Sequence, residues 1–264
     1  MFAIKQKYKI VVFDLDETLG YFTELGIFCD ALEYVMGNKL NNNEFFEIVD
    51  LFNEFLRPHI ISILKYIMKM KQRKCCDKIM IYTNNQGPRD WVEKISAYFD
   101  NKLEYKLFDQ IIGAFKIKGK QIEMNRTSHD KSLKDFVKCT HIPEDAEICF
   151  IDDQYHPNMI NSNIYYINVK PYIYNIEYYD MSDRYYNKYI PIDDKEDFIN
   201  NMVDFMNNYN YNYNVVVTPE NEVNVDKIVG KKLLQHLELY FNTSKNNTRK
   251  NIKKHRTTKK NTRM

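Results

Sequence analysis

The chain has 264 residues, 44% of them hydrophobic and 28% charged, enough to bury a substantial core as one large domain or a domain with a small appendage. Its five cysteines (Cys29, Cys75, Cys76, Cys139 and Cys149) show no repeated Cys-x-x-Cys spacing, which argues against a disulfide framework and a zinc site. No apolar run reaches membrane-spanning length and no signal-peptide pattern follows the early lysines, so a soluble intracellular protein, cytoplasmic with nuclear or virion association open, is expected.

The net charge of +2 conceals a split. Residues 245–264 hold nine Lys or Arg and no acid, so the rest of the chain carries 29 basic residues against 36 acidic. A stretch so rich in Lys, Asn and Thr cannot bury enough surface to offset ordering, and a basic disordered tail open to non-specific nucleic-acid contact is expected there.

In chain order, Tyr8 to Phe13 reads as a buried strand, followed by helical spacing over 22–36 and 43–56 with a turn at Asn41 to Asn43. Arg57-Pro58 introduces a helix over Ile60 to Met70, with Pro58 in its first turn. Lys78 to Tyr82 is a second strand, turned by Thr83 to Pro88 into a helix from Arg89 to about Phe99. Short strands at Ile111-Ile112 and Ile117, a helix over Ser132 to Lys138, and strands at Ile148 to Ile151 and Ile164 to Val169 follow. Beyond Pro171 lie a tyrosine-rich extension (171–244) read as packing surface, a helix over Asp194 to Met206, an edge strand at Val215 to Val217, and an amphipathic helix over Val225 to Phe241. Strands alternating with helices give an α/β layered core.

The chemistry sits at the strand ends. Asp14 and Asp16 leave the first strand two residues apart, and Asp152-Asp153 leave another. At the carboxyl ends of parallel strands such acids converge on substrate and metal. Asp14, first out of the strand, is the candidate nucleophile on phosphorus, and Asp16 the proton donor to the leaving oxygen. Crowded carboxylates beside an anionic substrate require a cation, which points to Mg2+ held by Asp14, Asp16, Asp152 and Asp153. Thr83 offers a phosphate-holding hydroxyl, or alternatively a cap for the next helix. Lys131 supplies the positive charge, with Lys134 and Lys120 as competitors. Thr18 is expected to order the turn, and with Arg57 and Asn84 to contact substrate; Arg57 could instead pair with Glu54.

The ordered set Asp14-Leu15-Asp16-Glu17-Thr18, Thr83, Lys131 and Asp152-Asp153 resembles the four motifs of haloacid-dehalogenase-like phosphatases. Phe13 to Leu19 with Phe55-Leu56-Arg57-Pro58 is similar to the NLI-interacting-factor-like branch, which dephosphorylates serine in proteins, including the carboxyl-terminal domain of RNA polymerase II. A weaker likeness is to members encoded by large DNA viruses. The resemblance spans roughly residues 8–170. It implies a Rossmann-like three-layer α/β fold with a mostly parallel central sheet and a small or absent cap, any helical insertion lying at 22–56. It further implies a core ending near residue 170, an aspartyl-phosphate on Asp14, magnesium held by the Asp14 side chain, the Asp16 carbonyl and Asp152 with Asp153 nearby, and Arg57 at the substrate entrance. Gly20 stands where the branch has valine, His59 where it has glycine, and Asn84-Asn85 where small residues are common. The expected function is Mg2+-dependent hydrolysis of a Ser/Thr phosphoprotein or phosphopeptide. The alternatives are a nucleic-acid 3′-phosphatase or nucleotide phosphatase, and a catalytically idle binding protein.

Overall fold

The computed structural model describes residues 7–190, 194–209 and 218–260, the side chains of Arg89 and of 243–260 excepted. β1 (Lys9–Phe13) leads into α1 (Thr23–Met36), α2 (Asn42–Leu51), a 3-10 turn (Asn53–Phe55) and α3 (Ile60–Gln72). Then come β2 (Lys78–Tyr82), α4 (Arg89–Leu103), β3 (Gln110–Ile112), and a hairpin of β4 (Lys116–Ile117) and β5 (Lys120–Gln121). After α5 (Leu133–Thr140), β6 (Glu147–Asp152) and β7 (Ile164–Asn168) the described chain ends in α6 (Tyr178–Tyr189), α7 (Lys195–Tyr209) and α8 (Glu220–Lys260).

Five strands form one parallel sheet in the order β3-β2-β1-β6-β7. The chain builds outward from β1 to one side and then returns to build the other. The order therefore reverses beside β1, which opens a crevice at the strands' carboxyl ends. β1 is apolar at nearly every position because both its faces are covered. Val11, Phe13, Ile79, Ile81 and Ile151 point into the larger core, whereas Ile10, Val12, Met80, Tyr82 and Phe150 point into a smaller one closed by Phe136 and Cys139 of α5. The result is a Rossmann-like three-layer α/β fold.

The helices at 23–51 are not a separate cap. α1 packs on α7, and α2 on α4 and α6, so the tyrosine-rich extension and the insertion after β1 share the larger core. Phe28 meets Phe52 and Tyr185 at ring distances of 5.0 and 5.7 Å. The expected turn at Asn41 to Asn43 caps α2: Asn41 Oδ1 accepts the amides of Asn43 and Glu44, while the Glu44 carboxylate accepts that of Asn41.

Two local expectations are corrected. The helix expected over 43–56 stops at Leu51, because Leu56 leaves to bridge Gly20 and the Phe55 carbonyl takes the Tyr21 amide at 2.7 Å. A side chain at Gly20 would lie 2.6 Å from that carbonyl, which accounts for glycine there. Pro58 precedes α3 and is not in its first turn, since the cap residue His59 takes a left-handed backbone with φ of 68°.

α8 lays Leu233, Leu237, Tyr240 and Phe241 into the larger core, and Tyr240 donates to the Glu147 carbonyl at 2.9 Å. The basic stretch 245–264 is described only as helical backbone as far as Lys260; the edge strand expected at 215–217 lies outside the described residues. Among the described residues no helix is long and apolar enough to cross a membrane.

Gly230 is where α8 comes closest to the core, its Cβ position lying 2.2 Å from the Pro58 carbonyl oxygen. Gly230→Ala is expected to lower stability by about 1–3 kcal/mol through forced separation, read by chemical denaturation. Glu24, fully buried in the first turn of α1, accepts the Ile176 amide on one oxygen and has no partner on the other. Burial pushes its carboxyl up to about 8. A folded-state pKa above the unfolded one means stability is undiminished below the ordinary glutamate range and falls as pH rises from there toward 8. Glu24→Gln should leave the melting temperature unchanged near pH 4 and raise it by ~2 °C or more at pH 8; an equal shift at both pH values would contradict this.

Candidate active site

Parallel register pairs Phe13 with Ile151, and the Asp14 amide donates to the Ile151 carbonyl at 2.9 Å. The residues that follow on each strand, Asp14 and Asp152, therefore emerge as neighbours. Between them lies Lys131, its ammonium donating to Asp14 Oδ1 and, at 2.6 Å, to Asp152 Oδ2. It is 1% exposed and sits over the Tyr82 and Phe150 rings. Lys131 immediately precedes Ser132, which caps α5 by accepting the Asp135 amide; the Asp135 carboxylate in turn holds the Thr127 amide at 2.8 Å. Lys134 and Lys120 are exposed and take no part.

The turn after β1 is held from within. Glu17 adopts a left-handed backbone, φ 58°, and the completely buried Thr18 faces Asp153. The Asp153 amide donates to Thr18 Oγ1 at 3.1 Å, and that hydroxyl donates to Asp153 Oδ1 at 3.0 Å. Thr18 thus orders the turn and aims Asp153, and its expected substrate contact is corrected, since no part of it reaches solvent.

Arg57 is corrected as well. It is 1% exposed and donates to the carbonyls of Thr18 (2.6 Å), Glu17 (2.5 Å) and Lys170 (2.8 Å), so its guanidinium is taken up by backbone. Burial lowers its guanidinium to about 10, which leaves it charged at neutral pH. Glu54 pairs with Arg184 at 2.6 Å, not with Arg57. The sharply turned backbone around Glu17 leaves carbonyls without regular partners, and a buried guanidinium collects them.

Thr83, 1% exposed at the end of β2, accepts the Asn85 amide on its hydroxyl at 2.9 Å. It does not cap α4, whose cap residue is Pro88 without a side-chain bond. Asn84, half-buried, accepts from Arg126 on its Oδ1 at 2.7 Å. Asn85, unassigned from sequence, donates to Asp16 Oδ2 at 2.8 Å. Arg126 was equally invisible: 1% exposed, it donates to the carbonyls of Thr83, Gly113 and His129 and lies over the Tyr82 ring at 4.8 Å. His156, whose Nε2 is 3.4 Å from Asp152 Oδ2, also joins the cluster. Only the Asp152/His156 spacing of four could have signalled it; nothing in the sequence marks Arg126 among its neighbours.

Asp14, Asp152 and Asp153 present oxygens all within 4.8 Å of one another. The Asp16 carboxylate is not in that group, so a metal role for Asp16 falls to its backbone carbonyl. Burial, with neighbouring carboxylates after it, pushes Asp14 up to about 8, against the pull of Lys131. Asp16 and Asp153 are raised by burial too. Asp152 is lowered, because His156 and Lys131 together outweigh its burial. One ammonium is too little positive charge for four acids, and an all-oxygen donor set short of charge fits a small hard divalent cation.

A groove of about 370 Å3 adjoins this cluster through Asn85 and Gly87, with Phe22, Phe45 and Trp91 among its walls.

No protein-family model matches the chain, and no curated protein matches it. Arg57→Met is expected to cost about 3 kcal/mol by stranding the Thr18 and Lys170 carbonyls, the Glu17 carbonyl keeping the Tyr172 amide at 2.9 Å, measured by denaturant unfolding; a loss under ~1 kcal/mol would mean the turn holds without it.

Proposed function

We propose that the chain is a Mg2+-dependent phosphomonoester hydrolase of the haloacid-dehalogenase-like kind, working through an aspartyl-phosphate and acting on phosphoserine or phosphothreonine in proteins. The observation that carries this reading is the buried Asp14–Lys131–Asp152 arrangement, in which two acids at the carboxyl ends of adjacent parallel strands meet a lysine from the segment before α5, 117 and 21 positions away. Such burial of charge is costly, and an inert surface turn has no use for it.

An oxygen of Asp14 attacks phosphorus while the ester P–O bond breaks, and the departing oxygen takes the proton of Asp16. Burial, by raising Asp16, favours its protonated form before attack. Water then attacks the acyl phosphate, losing its proton to Asp16, and inorganic phosphate leaves with Asp14 restored. Asp14, Asp152, Asp153 and the Asp16 carbonyl would hold the cation, which when bound neutralises charge on the phosphoryl oxygens. Lys131 and Thr83 hold those oxygens, and Asn85 orients Asp16.

Two features favour a peptide over a small metabolite. The helices after β1 are built into the core and leave no separate closing cap, and the groove beside Asn85 can take residues flanking the phosphate. The nine basic residues of 245–264 favour a second reading, a nucleic-acid 3′-phosphatase.

Aryl phosphate hydrolysis by the wild type should require Mg2+, be lost with a chelator and return on adding Mg2+. Asp14→Asn should lower it ~10³-fold or more. A phosphoserine peptide should be turned over in preference to a 3′-phosphorylated oligonucleotide. Metal-independent turnover, or full activity in Asp14→Asn, would sink the mechanism.

A further inference from the structure

The β4–β5 hairpin has no role in the chemistry above, yet it is rooted in the site. Its entry residue Gly113 and exit residue Arg126 are joined through the Arg126 guanidinium, which donates to the Gly113 carbonyl at 2.7 Å and to the Thr83 carbonyl at 3.0 Å. The same guanidinium holds Asn84, so hairpin and phosphate-side loop form one hydrogen-bonded unit. Gln121 reinforces the exit by donating to the carbonyl of Arg126 at 3.2 Å. The tip is a tight turn at Lys118 and Gly119, with φ of 48° and 79°. A two-residue turn of this kind gives the arm a defined shape.

Charge sets this arm apart. Residues 113–122 contain Lys116, Lys118 and Lys120 and no acid, in a chain whose first 244 residues have seven more acids than bases. Lys118 and Lys120 are exposed, and among the described residues none of the three lysines forms an ion pair. Behind them the strand ends present Asp14, Asp16, Asp152 and Asp153, with one buried ammonium. An anionic substrate nears a body that carries seven more acids than bases, and a local cluster of positive charge is what reverses that field.

We infer that this hairpin is a docking arm for an acidic segment flanking the phosphorylated residue of a protein substrate, a reading that rests on the phosphatase activity proposed above. A peptide is favoured over single-stranded nucleic acid because the arm offers no open stacking face. Its one aromatic ring, Phe115, is covered by His129 at 5.5 Å and by the Lys116 ammonium at 4.8 Å. The arm acts on encounter and ground-state binding, so it governs KM and not the chemical step.

The test compares wild type with Lys118→Glu/Lys120→Glu on four substrates: an aryl phosphate, a phosphoserine peptide flanked by Asp and Glu, the same peptide flanked by Ala and Gly, and a 3′-phosphorylated oligonucleotide. The expected result is a ~10-fold rise in KM for the acidic peptide alone, with kcat and aryl phosphate turnover unchanged. For the wild type that KM should rise between ~0.05 and ~0.3 M salt, and the variant should lose this dependence. An unchanged KM for the acidic peptide, or an equal rise for both peptides, overturns the arm. A rise for the oligonucleotide with the acidic peptide unaffected overturns the choice of partner. If the wild type hydrolyses no aryl phosphate, the catalytic reading fails by itself. Fluorescence anisotropy of the labelled acidic phosphopeptide then decides the arm: tighter binding to wild type than to the variant upholds it, and equal affinity overturns it.

Discussion

Two carboxylates that leave neighbouring parallel strands side by side, out of water, must find a cation or lose their charge. Lys131 between Asp14 and Asp152 meets that demand, and much of the surrounding structure serves to deliver it. The cap of α5, the Thr127–Asp135 contact and the rings of Tyr82 and Phe150 all fix where the lysine's backbone and stem can lie. One ammonium leaves the acids undercompensated. That imbalance is a cost that a bound hard cation would relieve, since it would remove the repulsion.

Arg57 and Arg126 solve a related problem by a different means. Loops at the ends of parallel strands turn too sharply for most of their carbonyls to meet backbone amides. Each guanidinium is almost wholly buried and gathers three carbonyls, Arg57 from the turn after β1 and the segment after β7, Arg126 from the loops after β2 and β3. Neither relies on a carboxylate partner among the described ion pairs. Rigidity around the candidate site therefore rests on cations that face backbone, while the acids remain available to a ligand.

Much of the layered core could be read from the sequence. Apolar runs of strand length that end in Asp14, Thr83 and Asp152 are strong signals, because a buried strand needs both faces apolar and its polar ends mark where it surfaces. Asp14, Asp152 and Asp153 were legible for the same reason, whereas Lys131 was marked by the need for a cation and by motif order, with Lys134 and Lys120 as competitors. Arg57 and Thr18 were misjudged because sequence gives residue type but not partners. A guanidinium suited to phosphate is equally suited to backbone carbonyls, and only its neighbours in the fold distinguish the two uses. Asn85 and Arg126 act through contacts between loops whose approach no local pattern encodes, while His156 reaches Asp152 across a local spacing of four.

The placement of β1 also governs how this protein comes into being. The strand precedes the other described elements and is the central one in the sheet, yet its neighbour β6 starts at Glu147, and the hydroxyl that reaches the Ile10 carbonyl belongs to Tyr240, 230 residues later. Until α8 has left the ribosome, the larger core lacks Leu233, Leu237 and Phe241, and its apolar strands stay uncovered. Loop closure over such spans is slow. Completion of the larger core thus waits for α8, and a polypeptide that stops short of it leaves apolar strand faces open to aggregation.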